Sequence, residues 1–159
     1  MANPIYVYCR SLDLITYAQL EDFMGHMGFL DEPARFDPPL DDANRSNPSW
    51  RAFVVHFGNG TKPLTVRRWT TADQIQPSLD ELRDRLGNEP PSSAVEAIRR
   101  HVEEVRQIFV LDVPNEVTQD VWEMLDATET FIAGRCDGVI VADEGVYGAR
   151  LEPMLTWTV

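Results

Sequence analysis

Residues 135–159, RCDGVIVADEGVYGARLEPMLTWTV, decide how the chain is read. At their middle, ADEGVYGA (142–149) sets two acids and two glycines in eight residues. Such a density suits a ligand loop or the turn of a hairpin. A calcium loop of EF-hand type needs acids at alternate positions across a 12-residue loop closing in Glu. A phosphate loop needs Gly-x-x-x-x-Gly-Lys-Ser/Thr or Gly-x-Gly-x-x-Gly. Neither pattern is present. The flanks VIVA and RLEPML alternate as hairpin strands do, so DEGVYG (143–148) is expected to be a turn between strands.

Working outward, DGVIVAD (137–143) and ARLEPMLTWTV (149–159) are expected strands, the latter with Leu151, Leu155, Trp157 and Val159 on one face. Before them, NEVTQDVWEMLDATETFIAG (115–134) is a helix. RQIFVLDV (106–113) is apolar at both alternations, as a central strand is. The same order occurs earlier. PIYVYC (4–9) is a strand and LITYAQLEDFMGHMGF (14–29) a helix, with Thr16, Leu20, Phe23, Met24 and Met27 on one face. WRAFVVHF (50–57) and PLTVRRW (63–69) are strands around the tight turn GNG (58–60). Residues 31–48 hold four prolines and no periodicity, so they form a long loop.

Two helices lie between the repeats. The first is expected to begin at a capping box of Ser78 and Glu81 and to stop at Gly87. The second begins at Ser93 with Glu96. NEPPS (88–92) is a short linker.

The expectation is therefore an α+β fold of one domain over residues 1–159. Its halves, 4–69 and 106–159, are each β-α-β-β and are joined by helices within 71–105. The sheet is mostly antiparallel, the halves are related by a pseudo-twofold duplication, and the helices pack on one side. This element order is similar to that of bacterial effector-binding domains of the gyrase-inhibitory type. That topological resemblance implies a cleft between halves that takes cationic or aromatic ligands.

Composition narrows the function classes. Twenty-six acids against 14 bases give a net charge of −12. Direct binding to nucleic acid, anionic membranes or phosphate-rich ligands is disfavoured, and a basic protein or cationic ligand is favoured. No apolar run is long enough to span a bilayer. The opening MANPIYVYCR lacks a basic region followed by an apolar stretch, so no secretory signal is expected. Cys9 and Cys136 are the only cysteines and are expected to be reduced thiols of a cytoplasmic protein. His26, His56 and His101 have no metal-ligand spacing, no nucleophile elbow exists, and neither cysteine has an adjacent base. No metal, cofactor or catalytic residue is assigned.

Two constellations remain. Asp112 to Glu129 contains six acids and no base. At about 100° per residue, Val117, Val121, Met124, Leu125, Thr128, Phe131 and Ile132 form the core face of the helix. Glu116, Glu123, Asp126 and Glu129 fall on or near the opposite side, and Trp122 lies among them. A tryptophan ringed by carboxylates is suited to anchoring a basic partner, unless another segment covers it. The second constellation is Tyr6, Tyr8, Trp50, His56, Arg67 and Trp69, which would line a ligand cleft if the halves leave one open. In TVRRW, strand geometry puts Arg67 and Arg68 on opposite faces, with Trp69 on the side of Arg67. The leading functional expectation is non-enzymatic binding of a basic partner protein, in an inhibitor or immunity-type role. The alternative is a small-molecule binding domain, and the third reading is an enzyme.

Overall fold

The computed structural model describes residues 3–58 and 60–158. Asn59 of the GNG turn and Val159 of the expected last strand lie outside the described residues. The order is β1 (Asn3–Cys9), α1 (Tyr17–His26), β2 (Arg35–Asp37), β3 (Ala52–His56), β4 (Leu64–Trp69), α2 (Ala72–Gly87), α3 (Ser93–Val102), β5 (Gln107–Val113), α4 (Gln119–Cys136), β6 (Gly138–Val141), β7 (Gly145–Tyr147) and β8 (Pro153–Thr156). All eight strands join one sheet in the order β2-β3-β4-β5-β1-β6-β7-β8, and every neighbouring pair is antiparallel. The fold is α+β.

The two longest central strands explain the arrangement. In β5, Phe109, Leu111 and Val113 enter one core, with Ile5, Val7, α1 and α4. Ile108 and Val110 enter a second core, with Tyr8, Val139, Val141, α2 and α3. A strand apolar on both faces is stable only when both are covered. The expectation of helices on one side is corrected accordingly: α1 and α4 cover one face, α2 and α3 the other.

The expected duplication is corrected too. Strand β5 pairs with β4 and β1 pairs with β6, so each half's first strand sits in the other half's block. An axis between β1 and β5 would exchange β2 with β8 and β4 with β6. The halves therefore share an element order without sharing a connectivity. The sheet is continuous between them, because β1 and β5 pair along their whole length, so the expected ligand cleft does not run through the middle of the sheet.

Local signals account for several boundaries. Thr16 caps α1 in a reciprocal box with Gln19. α2 starts at Thr71 with Gln74, seven residues before the expected Ser78. Pro77 lies inside α2 and, having no N–H, leaves the Asp73 carbonyl without its usual intrahelical partner. Ser78 is buried, its Oγ 2.8 Å from the Tyr8 hydroxyl. α3 is capped by Ser92, one residue before the expected cap. The 31–48 loop contains the edge strand β2, which buries Phe36.

The last segment departs most from expectation. Ala142 and Gly145 exchange backbone hydrogen bonds of 3.0 and 3.3 Å, closing the hairpin turn. Gly145–Tyr147 is itself strand β7, and a second turn over 148–152 leads to β8. Gly145 is required there: a Cβ at this position would stand 2.1 Å from the Leu155 carbonyl oxygen on the neighbouring strand.

Candidate functional site

Helix α4 sets a stripe of unusual side chains beside its core face. Val121, Met124, Leu125, Thr128 and Ile132 are fully buried. Trp122, Asp126 and Glu129 follow one another at i, i+4 and i+7, so they stack along one flank of the helix. That flank faces the start of β1, the β6–β7 turn and β7. Between these elements lies a cleft of about 310 Å³ lined by Pro4, Ile5, Trp122, Asp126, Glu129, Ala142, Asp143, Glu144, Tyr147 and Leu151. It has four carboxylates and two aromatic rings, and no Lys, Arg or His among its lining residues.

Trp122 stands at the mouth with 38% of its surface exposed. The 31–48 loop, which begins by donating the Asp31 amide to Asp120, is not among the residues that line this cleft. Glu129 is the floor. Only 3% of it is exposed, and its Oε2 has no hydrogen-bond partner. Burial disfavours the charged form, and the carboxylates of Asp126 and Glu144 add repulsion, so the pKa is pushed up to about 8. Asp126 is raised by burial and by Glu144. These mutual effects bring α4 and the β6–β7 turn into one electrostatic unit.

The turn is thus a hairpin connection whose acids also wall a cleft. Among the described residues no group of three His, Cys, Asp or Glu side chains converges to hold a metal ion. Calcium or magnesium should therefore leave the melting temperature unchanged. A site occupied at 100 times its dissociation constant would stabilise by about 2.7 kcal/mol, a visible rise. A metal-dependent rise that Asp143→Asn with Glu144→Gln removes would contradict this.

The structure brings only part of the expected acidic face together. Glu129 is corrected from the solvent side to the buried floor. Glu123 is exposed on the far side of α4. Glu116 precedes the helix and lines a different hollow, of about 500 Å³, with Gly60, Thr61, Lys62, Asn115, Val117 and Thr118. That hollow is larger but has no aromatic ring and no buried carboxylate, so volume alone does not mark the site.

The second constellation is divided by the sheet. Tyr6 lies 5.8 Å from Tyr8 and 6.3 Å from Trp69, ring centre to ring centre, on the α2–α3 face. Arg67 is on the same face and pairs with Asp112 at 3.0 Å. Trp50 is in the opposite core, its indole N–H donating to the Ile15 carbonyl at 2.7 Å. His56 sits at the end of β3, 4.0 Å from Asp37. Arg68 points away from Arg67, as strand alternation requires. Its Nε donates to Gln107 Oε1 at 3.1 Å, and its guanidinium lies 5.8 Å from the Trp50 ring centre.

Asp143, Glu144, Tyr147, Leu151, Pro4 and Ile5 were not legible as site residues from spacing. They reach α4 only through the pairing of β1 with β6 and of β6 with β7. The one available signal was the i, i+4, i+7 stripe of Trp122, Asp126 and Glu129. Comparison with protein-family models, with curated proteins and with solved structures gives no match. No described helix is long and apolar enough to cross a membrane.

Proposed function

We propose that the protein is a non-enzymatic binding protein that engages a basic partner protein through the acidic cleft of α4, in an inhibitor or immunity-type role. One observation carries the reading. An exposed tryptophan stands over a cleft whose buried floor is a carboxylate oxygen without a partner. A buried polar atom left unpaired is costly, and a group from outside that supplies the missing donor removes that cost. Trp is a favoured interface anchor, and its ring attracts cations. The surrounding carboxylates add long-range attraction for a positively charged surface.

The rim charges supply a test of this attraction. The basic partner is captured from native lysate, identified, and purified. Replacing Asp126, Asp143 and Glu144 with Asn, Asn and Gln should slow its association about tenfold at low salt, and the difference should shrink towards twofold at high salt. Stopped-flow association rates at two ionic strengths measure this. Rates that are equal for both proteins at low salt would show that binding uses another surface.

A further inference from the structure

We propose that the cleft between α4 and the β6–β7 turn is a socket for one arginine side chain displayed by the basic partner, its guanidinium stacking on Trp122 and donating to Oε2 of Glu129. This inference rests on the binding role proposed above and names what enters the cleft.

Four observations lead to a guanidinium. First, the floor offers an acceptor that nothing in the protein uses: Glu129 Oε2 is buried and unpaired. Second, the walls are aromatic and acidic together. Trp122 and Tyr147 supply ring surface, while Asp126, Asp143 and Glu144 supply charge. A flat, weakly hydrated cation with several donors stacks on a ring and still reaches two carboxylates, which a compact ammonium does less well. Third, the acids do not converge as metal ligands do, so a point cation is poorly served. Fourth, the chain itself already treats tryptophan this way. Arg68 lies over Trp50, and Arg85 lies 4.3 Å from the Trp157 ring centre while Nη2 donates to the Asp143 carbonyl. Among the described residues no arginine or lysine is recorded over Trp122.

The insertion is linked to a proton. Buried beside other carboxylates, with its pKa pushed up to about 8, Glu129 is mostly protonated at pH 7 when the cleft is empty. A guanidinium against Oε2 favours the charged form, so the carboxyl proton leaves to solvent as the cation enters. The groups facing Glu129 are Asp126 on α4, Asp143 and Glu144 on the turn, and Tyr147 on β7. Pro4 and Ile5 of β1 and Leu151 of the second turn carry no charge. Every titratable side chain lining the cleft is thus an acid or a tyrosine; the one cation placed against this turn, Arg85 of α2, reaches the Asp143 backbone carbonyl and is not part of the lining.

The probe is the tripeptide Gly-Arg-Gly, capped at both ends, with citrulline, lysine and free-arginine counterparts. Binding is followed by calorimetry and by the Trp122 indole resonance, which Trp122→Phe identifies. The arginine peptide should shift that resonance. The citrulline peptide should bind at least about tenfold more weakly, and the lysine peptide about fivefold more weakly. Affinity should rise about tenfold from pH 6 to pH 7 and level off above about pH 8, with proton release that depends on buffer ionisation heat. Glu129→Gln mimics the protonated acid, keeps the fold, and should bind weakly with no pH dependence. Equal binding of arginine and citrulline, equal binding of arginine and lysine, or a pH profile unchanged in Glu129→Gln would each overturn the socket. Free arginine binding far more tightly than the peptide would move the occupant from a partner protein to a metabolite. If the peptide fails while Trp122→Ala still weakens the whole partner, the interface stands and the socket falls.

Discussion

Glu129→Gln should raise the melting temperature at pH 8 by roughly 10 °C while changing it little at pH 5. The folded protein holds the Glu129 proton up to about pH 8, whereas the free side chain releases it at 4.5. Unfolding in that window therefore releases a proton. Stability from this group is complete below pH 4.5, declines as pH rises, and is gone above about pH 8. The loss across the window is on the order of 4 kcal/mol, because Glu129 is almost wholly buried and solvent screens little of it. Glutamine keeps the shape of the neutral acid and has no proton to lose, so its stability escapes this decline. Thermal melts of both proteins from pH 5 to pH 8.5 measure the difference. Parallel curves would mean that Glu129 is solvated or paired in solution, and the floor of the cleft would lose its special character.

A residue that weakens the fold at neutral pH is informative about function. Leucine or glutamine at position 129 should make the free protein more stable at pH 8, because neither buries a charge. A carboxylate there suits a role in binding, where its cost to the free protein is recovered when a cation arrives.

Much of the fold was readable from particular residues. RQIFVLDV is apolar at both alternations, which calls for cover on both faces of the sheet; the expectation of helices on one side did not follow that signal through. Ser78 with Glu81 has the spacing of a capping box, but Ser78 is buried inside the helix and the cap is Thr71, so the box pattern alone misplaced the start of α2. Strand order was not readable. Pairing of β1 with β6 and of β5 with β4 depends on which long strands claim the centre, and no local pattern records that choice. The cleft shares this limit. Its α4 flank was visible as a helical stripe, but Asp143, Glu144 and Tyr147 join it only through sheet register. Reading Glu129 as solvent-facing came from treating the helix as two opposite faces. The boundary between them is where a buried charged side chain can sit.

Trp122→Ala should weaken binding of the basic partner by at least about 2 kcal/mol, some 30-fold in dissociation constant. The residue is 38% exposed, so part of it is open to solvent at the cleft mouth while the rest is packed. Removing it deletes stacking surface at the cleft mouth and uncovers the acceptor floor to water. The fold should lose about 1–2 kcal/mol, less than for a core tryptophan, because only part of the side chain is buried. A core tryptophan behaves differently: its loss costs about 3–5 kcal/mol of folding stability.

The decisive measurement is the affinity of Trp122→Ala for the identified partner, taken at pH 8 beside its unfolding free energy in denaturant. The expected result is at least a 30-fold loss of affinity with a stability loss below about 2 kcal/mol. Affinity equal to that of the unaltered protein, together with a stability loss of about 3 kcal/mol or more, would place Trp122 in the core and remove the interface.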